Sequence, residues 1–351
     1  MKIFVNARFL TQPLSGVQRY AIECSRQIKS LHQNTVFLSP SNIFNKKVAR
    51  ELDVQTIGNQ TGHIWEQTDL PKYLSQNGNP PLFNPSNTAP LVYRNNFLTL
   101  HDLAFYHHPE WNSKLFSLWY NFMIPKLVKK SRHLFTVSNT IKSELVQYYH
   151  VAPSKVSVTY NGISEEMLSS GGQNNVAKEQ IILSVGTFNI RKNHHSLVNA
   201  FLASELKNDY QLVLIGDKNK VFRESSLSEA ALQAGNIVIH ENASAEELIA
   251  LYQKAEILVS LSVYEGFGIP LLEGIFYNCR VVCSDIPVYR ELFEGYADFC
   301  DPFNIDDIAK ALQAVASKGE KREHSRQRPL LDKFNYAASA EVIVHSILQD
   351  G

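Results

Sequence analysis

The stretch SLSVYEGFGIPLLEGIFYNCRVV, residues 260–282, sets two carboxylates, Glu265 and Glu273, around a loop containing Gly266 and Gly268 and a helix start marked by Pro270. Such a loop can present free backbone amides to an anion at the helix N-terminus. Carboxylates repel phosphate, so the partners expected for Glu265 and Glu273 are hydroxyl groups, from which a carboxylate accepts strongly. A phosphate flanked by two polyols is a sugar nucleotide. A second set of charges, Arg191 and Lys192 in SVGTFNIRKNHHSL (residues 184–197), supplies a planar fork and a point charge able to neutralise a diphosphate. In NARFLTQPLSGVQRYAIE, Pro13, Ser15 and Gly16 form a loop before a helix beginning near Val17, and the Gly16 amide can approach phosphate without a side-chain clash. Arg19, in the first turn of that helix, reads equally as a site residue or a surface charge. His101 and Asp102 close the apolar run of FLTLHDLAFYHHPEWN (residues 97–112), while His107 and His108 beside Pro109 read as loop structure.

The elements that must carry these residues follow from the hydrophobic pattern. Short runs rich in Val, Ile and Phe alternate with segments of helical period: KIFVNA before GVQRYAIECSRQI, HLFTVS before NTIKSELVQYY. The pattern restarts at IILSVG, followed by HHSLVNAFLASEL, and continues through QLVLIGD, NIVIHE, EILVSLS and RVVCSD. This predicts an α/β fold of two Rossmann-like, doubly wound domains with parallel sheets. The expected bounds are 1–165 and 166–334, with a final helix at about 335–351 returning to the first domain. The segment VAPSKVSVTYNGISEEMLSSGGQNNVAKEQ, with Asn161-Gly162 and Gly171-Gly172, reads as the connection, its hinge near 162–178. Two such sheets facing across a cleft suit group transfer, because closure excludes water from an activated donor.

Composition narrows the function classes. The 351 residues carry 34 Lys+Arg and 34 Asp+Glu, so no global field favours nucleic acid. Residues 1–160 hold 17 basic and 8 acidic side chains and the remainder 17 and 26, which puts any basic contact surface on the first half. Four cysteines, Cys24, Cys279, Cys283 and Cys300, lack zinc spacing and fit a reducing compartment. No apolar run is long enough to span a membrane and the chain opens on a strand pattern, so a cytoplasmic location is expected. No Asp-x-Asp triplet occurs, so neither a metal nor another cofactor is expected. The segment SKLFSLWYNFMIPKLVKKSRHL (residues 113–134), with Lys126, Lys129, Lys130 and Arg132, reads either as a packed helix interrupted at Pro125 or as a contact for a membrane or lipid-linked acceptor.

Glu265 and Glu273 with seven residues between, in the context EGFGIPLLE, resemble the signature of glycosyltransferase family 4, retaining enzymes of GT-B fold, and the resemblance extends over nearly the whole chain. It implies that Glu265 with the loop amides at Phe267 and Gly268 holds the transferred hexose, that Glu273 binds the ribose and that the Gly16 loop faces the diphosphate; Gly266, Ile269, Arg191 and Lys192 are expected to bind the donor beside them. It further implies that His101 reaches the transferred sugar, with Asp102 orienting its ring. Two departures stand out: Asn189 and Ile190 replace a Glu-Pro pair before Arg191, and Ser15 replaces one of two consecutive glycines. HDLAFYHHPEW and VSVTYNGI are similar to bacterial O-antigen and capsule mannosyltransferases, which favours GDP-mannose as donor. Rhamnose or glucose on dTDP or UDP stays open, and the base is expected near NIVIHENASAEEL (residues 236–248). The acceptor implied is a glycan or a polyprenyl-linked oligosaccharide, with peripheral membrane contact, and the mechanism a front-face displacement. The competing readings are a catalytically silent sugar-nucleotide-binding protein and a phosphorylase or epimerase of related fold.

Overall fold

The computed structural model describes residues 1–171, 176–216, 235–241, 243–317 and 324–351, which form two compact units, Met1–Gly162 with Phe334–Gly351, and Ile163–Lys333. Gly172 of the expected Gly-Gly turn and Asn242 of the segment expected near the base lie outside the described residues. Each unit is built on one parallel sheet. The first runs β3 (Gln55–Thr56), β2 (Thr35–Ser39), β1 (Ile3–Asn6), β4 (Leu82–Asn84), β5 (Asn96–Leu100), β6 (His133–Thr136), β7 (Val156–Val158). The second runs β10 (Ile237–Glu241), β9 (Gln211–Gly216), β8 (Glu179–Val185), β11 (Ala255–Ser260), β12 (Arg280–Ser284), β13 (Asp298–Cys300).

In both sheets the first strand lies next to the fourth, so the winding reverses there and the loops leaving those two strands diverge. This reversal is where open α/β sheets form a crevice outside the carboxyl ends of their strands. In the second unit it falls between β8 and β11, paired through Ile182 with Ile257 and Leu183 with Leu258. The central strands are almost continuously apolar because helices cover both faces. Their side chains, with Leu197, Val198 and Phe201 of the helix His194–Ala203 and Ile308, Leu312 and Val315 of the helix Ile305–Ser317, make the core of the second unit. In the first unit Phe4, Leu38, Trp65, Leu70, Leu74, Leu82 and Tyr93 form a corresponding cluster. There the closing helix Tyr336–Asp350 packs on the helix Gly16–Leu31.

Two elements differ from the sequence reading. Val156–Val158, read as part of the connection, is the edge strand β7, bonded to β6. Three residues next to a Pro-Ser-Lys turn carry too little periodicity to announce a strand; pairing with a preformed neighbour makes it one. The sixth strand of the second sheet, β13, is equally short and was not expected.

The helix that follows β11, Ile269–Phe276, sits so close to its own strand that a Cβ at Gly274 would collide with the Leu258 side chain, lying 3.0 Å from the Leu258 Cβ. Gly274→Ala is therefore expected to destabilise the protein by about 1–3 kcal/mol through overpacking, visible as a lower thermal midpoint. An unchanged midpoint would show that the helix can slide without loss.

Candidate active site

The sequence-predicted residues Arg191 and Lys192, after β8, and Glu265, after β11, meet at the strand reversal of the second unit. After β8 the chain turns at Asn189, whose side-chain oxygen accepts from the Lys192 amide at 3.2 Å and caps the single turn Ile190–Lys192. The residue that departs from the family pattern thus supplies the cap that orients Arg191 and Lys192. The loop leaving β11 is tied to this turn by its backbone, Val263 N–H donating to the Arg191 carbonyl at 3.0 Å. Across that tie the Lys192 ammonium donates to Glu265 Oε1 at 2.6 Å, both side chains nearly buried. Burial alone would raise the Glu265 carboxyl. The charges of Lys192 and Arg191, with hydrogen bonds from Lys192 and Ser262, overturn this and hold it at about 2.

Just beyond Glu265 the amides of Gly266 and Gly268 donate to no described group. Gly268 has φ +109° and precedes the helix Ile269–Phe276, which carries Pro270 in its first turn. A Cβ at Gly268 would also stand 2.7 Å from the Tyr289 ring, so only glycine fits. Phe267 offers its backbone alone, because its side chain is buried edge-on to Phe293. Glu273, within the helix, is buried and accepts from the Tyr252 hydroxyl at 2.7 Å. Unbonded amides at a helix start, two cations and carboxylates bonded to donors are what a diphosphate with sugar hydroxyls on either side requires.

His194, the first residue of the helix after Lys192, carries no signal in the sequence that marks it out. Its Nδ1 is buried with no hydrogen-bond partner, and burial, then the Lys192 charge, pushes the ring down to about 3. It stays neutral beside the cations.

His101, Asp102 and Gly16 belong to the first unit. His101 is buried, and its Nε2 lies 2.7 Å from the Pro85 carbonyl. A carbonyl only accepts, so Nε2 carries the proton. Burial lowers the pKa of this ring against the raising effects of Pro85 and of the Asp102 charge, which makes it neutral at pH 7. The expectation that Asp102 orients the ring is corrected. Pro85 does so, while Asp102 Oδ1 accepts from the Ala104 amide at 3.0 Å and begins a short helix, acting on the ring through its charge only. Tyr20, one turn along the helix that begins at Gly16, meets the His101 ring edge-on with centroids 4.8 Å apart. The Gly16 amide is without a partner among the described residues. His107 pairs with Glu144 and His108 stacks on Trp111, in keeping with loop structure.

Comparison with known proteins follows the same division. A family model described as Glycosyltransferase Family 4 matches residues 14–166, and one described as Glycosyl transferases group 1 matches residues 169–328. The chain is 31% identical over 232 residues to the O-antigen chain mannosyltransferase RfbU of Salmonella typhimurium, a match spanning 65% of this chain and 63% of that protein. It is 31% identical over 240 residues to an N-acetylgalactosaminyltransferase of Campylobacter jejuni named for a diphospho-undecaprenol-linked acceptor, spanning 64% and 63%. Among solved structures, Anabaena HepE with UDP and glucose superposes with a TM-score of 0.76 at 16% identity, covering 99% of this chain and all of that one.

The depressed Glu265 carboxyl stabilises the fold in its charged form. That contribution is complete above the ordinary carboxyl range near 4.5 and is lost as pH falls through about 2. The difference in thermal midpoint between wild type and Glu265→Gln should therefore hold steady from about pH 7 to pH 5 and shrink toward pH 2. A difference independent of pH across that range would remove the ion pair from the account.

Proposed function

Because the chain belongs to the glycosyltransferases that join a family 4 N-terminal half to a group 1 C-terminal half on the GT-B fold, we propose that it transfers a hexose from a nucleoside-diphosphate sugar to a glycan or polyprenyl-diphosphate-linked acceptor, retaining the anomeric configuration. GDP-mannose is the donor favoured, on the likeness to a mannosyltransferase. The observation that carries the reading is the Lys192–Glu265 pair, 2.6 Å long, beside the unbonded amides of Gly266 and Gly268.

The diphosphate is the leaving group, so the protein's task is to stabilise its growing charge. Arg191, Lys192 and the loop amides do this. When a diphosphate draws Lys192, Glu265 loses a hydrogen-bond donor and takes hexose hydroxyls in its place. His101 is neutral and hydrogen-bonded through Nε2, so a role for it toward the sugar adds no charge that would hold back the leaving group. No metal is needed in this scheme, since fixed cations and amides neutralise the phosphates.

Assayed in EDTA with GDP-mannose and a lipid-linked glycan acceptor, the wild type should release GDP and form product. Glu265→Ala and Lys192→Ala should each lose about a hundredfold in rate, on the order of 3 kcal/mol, with folding retained. GDP-mannose binding without GDP release from any acceptor would favour the silent-binder reading. Turnover that requires added magnesium or manganese would overturn the metal-free scheme.

The reading includes peripheral contact with the cytoplasmic face of a membrane. No described helix is long and apolar enough to cross a bilayer. The helix Lys114–Lys130 nevertheless leaves Leu115, Leu118 and Phe122 exposed by 78%, 71% and 51% at helical spacing, with Lys126, Lys129 and Lys130 following. Each basic group near an anionic surface contributes about 1 kcal/mol. The protein should sediment with anionic vesicles at low salt and be released as salt rises. Equal recovery in the supernatant with neutral and anionic vesicles at low salt would contradict this.

A further inference from the structure

The reversal point of the first sheet, between β1 and β4, holds a buried polar cluster that the transfer scheme leaves unused. Asn6, the last residue of β1, donates through Nδ2 to Asn84 Oδ1 of β4 at 3.1 Å and to Glu66 Oε1 at 2.9 Å. Two residues on, Arg8 Nε donates to the same Glu66 oxygen at 3.1 Å, and Arg8 Nη2 to Thr88 Oγ1 at 2.8 Å. Thr88 in turn donates to Glu66 Oε1 at 2.9 Å, and His63 Nδ1 lies 3.3 Å from Glu66 Oε2. The pair is deeply buried, Arg8 at 7% exposure and Glu66 at 0%. Burial works to raise the Glu66 carboxyl, and Arg8 and His63 hold it at about 2.

This network fixes one half of the guanidinium and leaves the other half open: Arg8 Nη1 has no partner among the described residues. Three more polar groups nearby are equally unspent. The Tyr120 hydroxyl makes no hydrogen bond to a described residue, and this side chain feels the charges of Arg8, Glu66 and Asp102. Trp119 Nε1 is buried without a partner, and its ring meets His63 edge-on at 6.5 Å. His63 Nε2 is unbonded among the described residues. Trp119 Nε1 is the buried donor among them, and a buried donor left open calls for an acceptor from outside the protein.

The charge decides what kind. Arg8 is balanced by Glu66, and Asp102 adds a negative charge, so a phosphate or carboxylate finds no surplus cation to meet it. Neutral hydroxyls lose nothing from that balance, and indole, phenol and guanidinium can all donate to their oxygens. Tyr120 also stacks on Phe116, centroids 4.0 Å apart, so an aromatic surface able to take an apolar ring face adjoins its hydroxyl. We propose that Arg8, His63, Trp119 and Tyr120 form a subsite for a neutral sugar ring of the acceptor, with Glu66 as the positioning residue that holds Arg8. The inference rests on the reading of the chain as a glycosyltransferase with a glycan acceptor, and it assigns the sugar, not the carrier diphosphate, to this part of the first unit.

Saturation-transfer NMR on the full chain tests it, with the methyl glycosides of mannose, glucose, galactose, N-acetylglucosamine and N-acetylgalactosamine as probes. At least one glycoside should receive saturation from the wild type. Tyr120→Phe, which removes one oxygen, and Arg8→Lys, which keeps a charge opposite Glu66, should each reduce that signal at least fivefold, whereas Val92→Ala on the exposed surface should not. Equimolar inorganic phosphate should leave the signal in place. No signal for any glycoside, a signal unchanged in both variants, or displacement by phosphate would overturn the proposal. Binding of GDP, measured on the same samples, separates the two readings. Unaltered GDP affinity in the variants confines the defect to the acceptor subsite, while a wild type that binds no nucleoside diphosphate refutes the transferase reading and leaves the glycoside result to judge the subsite.

Discussion

Lys192 and Glu265 stand on loops that leave neighbouring strands, β8 and β11, and turn in opposite directions, so the contact between them sets the geometry of the whole crevice. A buried ion pair of this kind is a poor source of net stability, because removing two charges from water offsets most of their attraction. Its value lies in coupling. Glu265 remains charged while buried chiefly because Lys192 and Arg191 face it, and the turn that carries those cations is held by the Asn189 cap and by the Val263–Arg191 backbone bond. A ligand that takes Lys192 changes the surroundings of Glu265 in the same event. In the proposed scheme diphosphate and hexose are thereby recognised as one molecule.

The first sheet repeats the plan with different chemistry. Its reversal point again brings a cation and a carboxylate together, Arg8 and Glu66, but a fan of hydrogen bonds from Asn6, Thr88 and His63 locks the carboxylate. Glu66 is consequently a fixture, and Arg8 is the group with donors in reserve. In the second unit it is the carboxylate that a substrate can release. In the proposed scheme, equal topology with opposite allocation of the reactive partner suits one sheet to an activated, anionic donor and the other to a neutral acceptor.

The parts legible in the sequence were those with local physical signatures. The apolar runs of β8, β9 and β11 announce buried parallel strands, and glycines beside Pro270 announce a helix start that needs positive φ and bare amides. The strands β7 and β13 were hidden, because three residues bear no period. Contacts between distant residues were hidden as well. Arg8 and Glu66 are 58 positions apart, and nothing in either neighbourhood announces the other. The ring of His101 was assigned to its sequence neighbour, whereas a carbonyl 16 residues earlier holds it, since a residue adjacent along an extended backbone points elsewhere. The Lys192–Glu265 pair was half visible: both residues could be named, and their mutual contact could not.

In the proposed scheme Lys192 serves the diphosphate and Glu265 the hexose. Calorimetric titration of wild type, Lys192→Met and Glu265→Gln with GDP and with GDP-mannose addresses it directly. The account predicts that Lys192→Met weakens both ligands alike, while Glu265→Gln weakens GDP-mannose at least tenfold, about 1.4 kcal/mol, and leaves GDP bound as tightly as before or more tightly. Equal loss of GDP and GDP-mannose in Glu265→Gln, or GDP binding untouched by Lys192→Met, would contradict it.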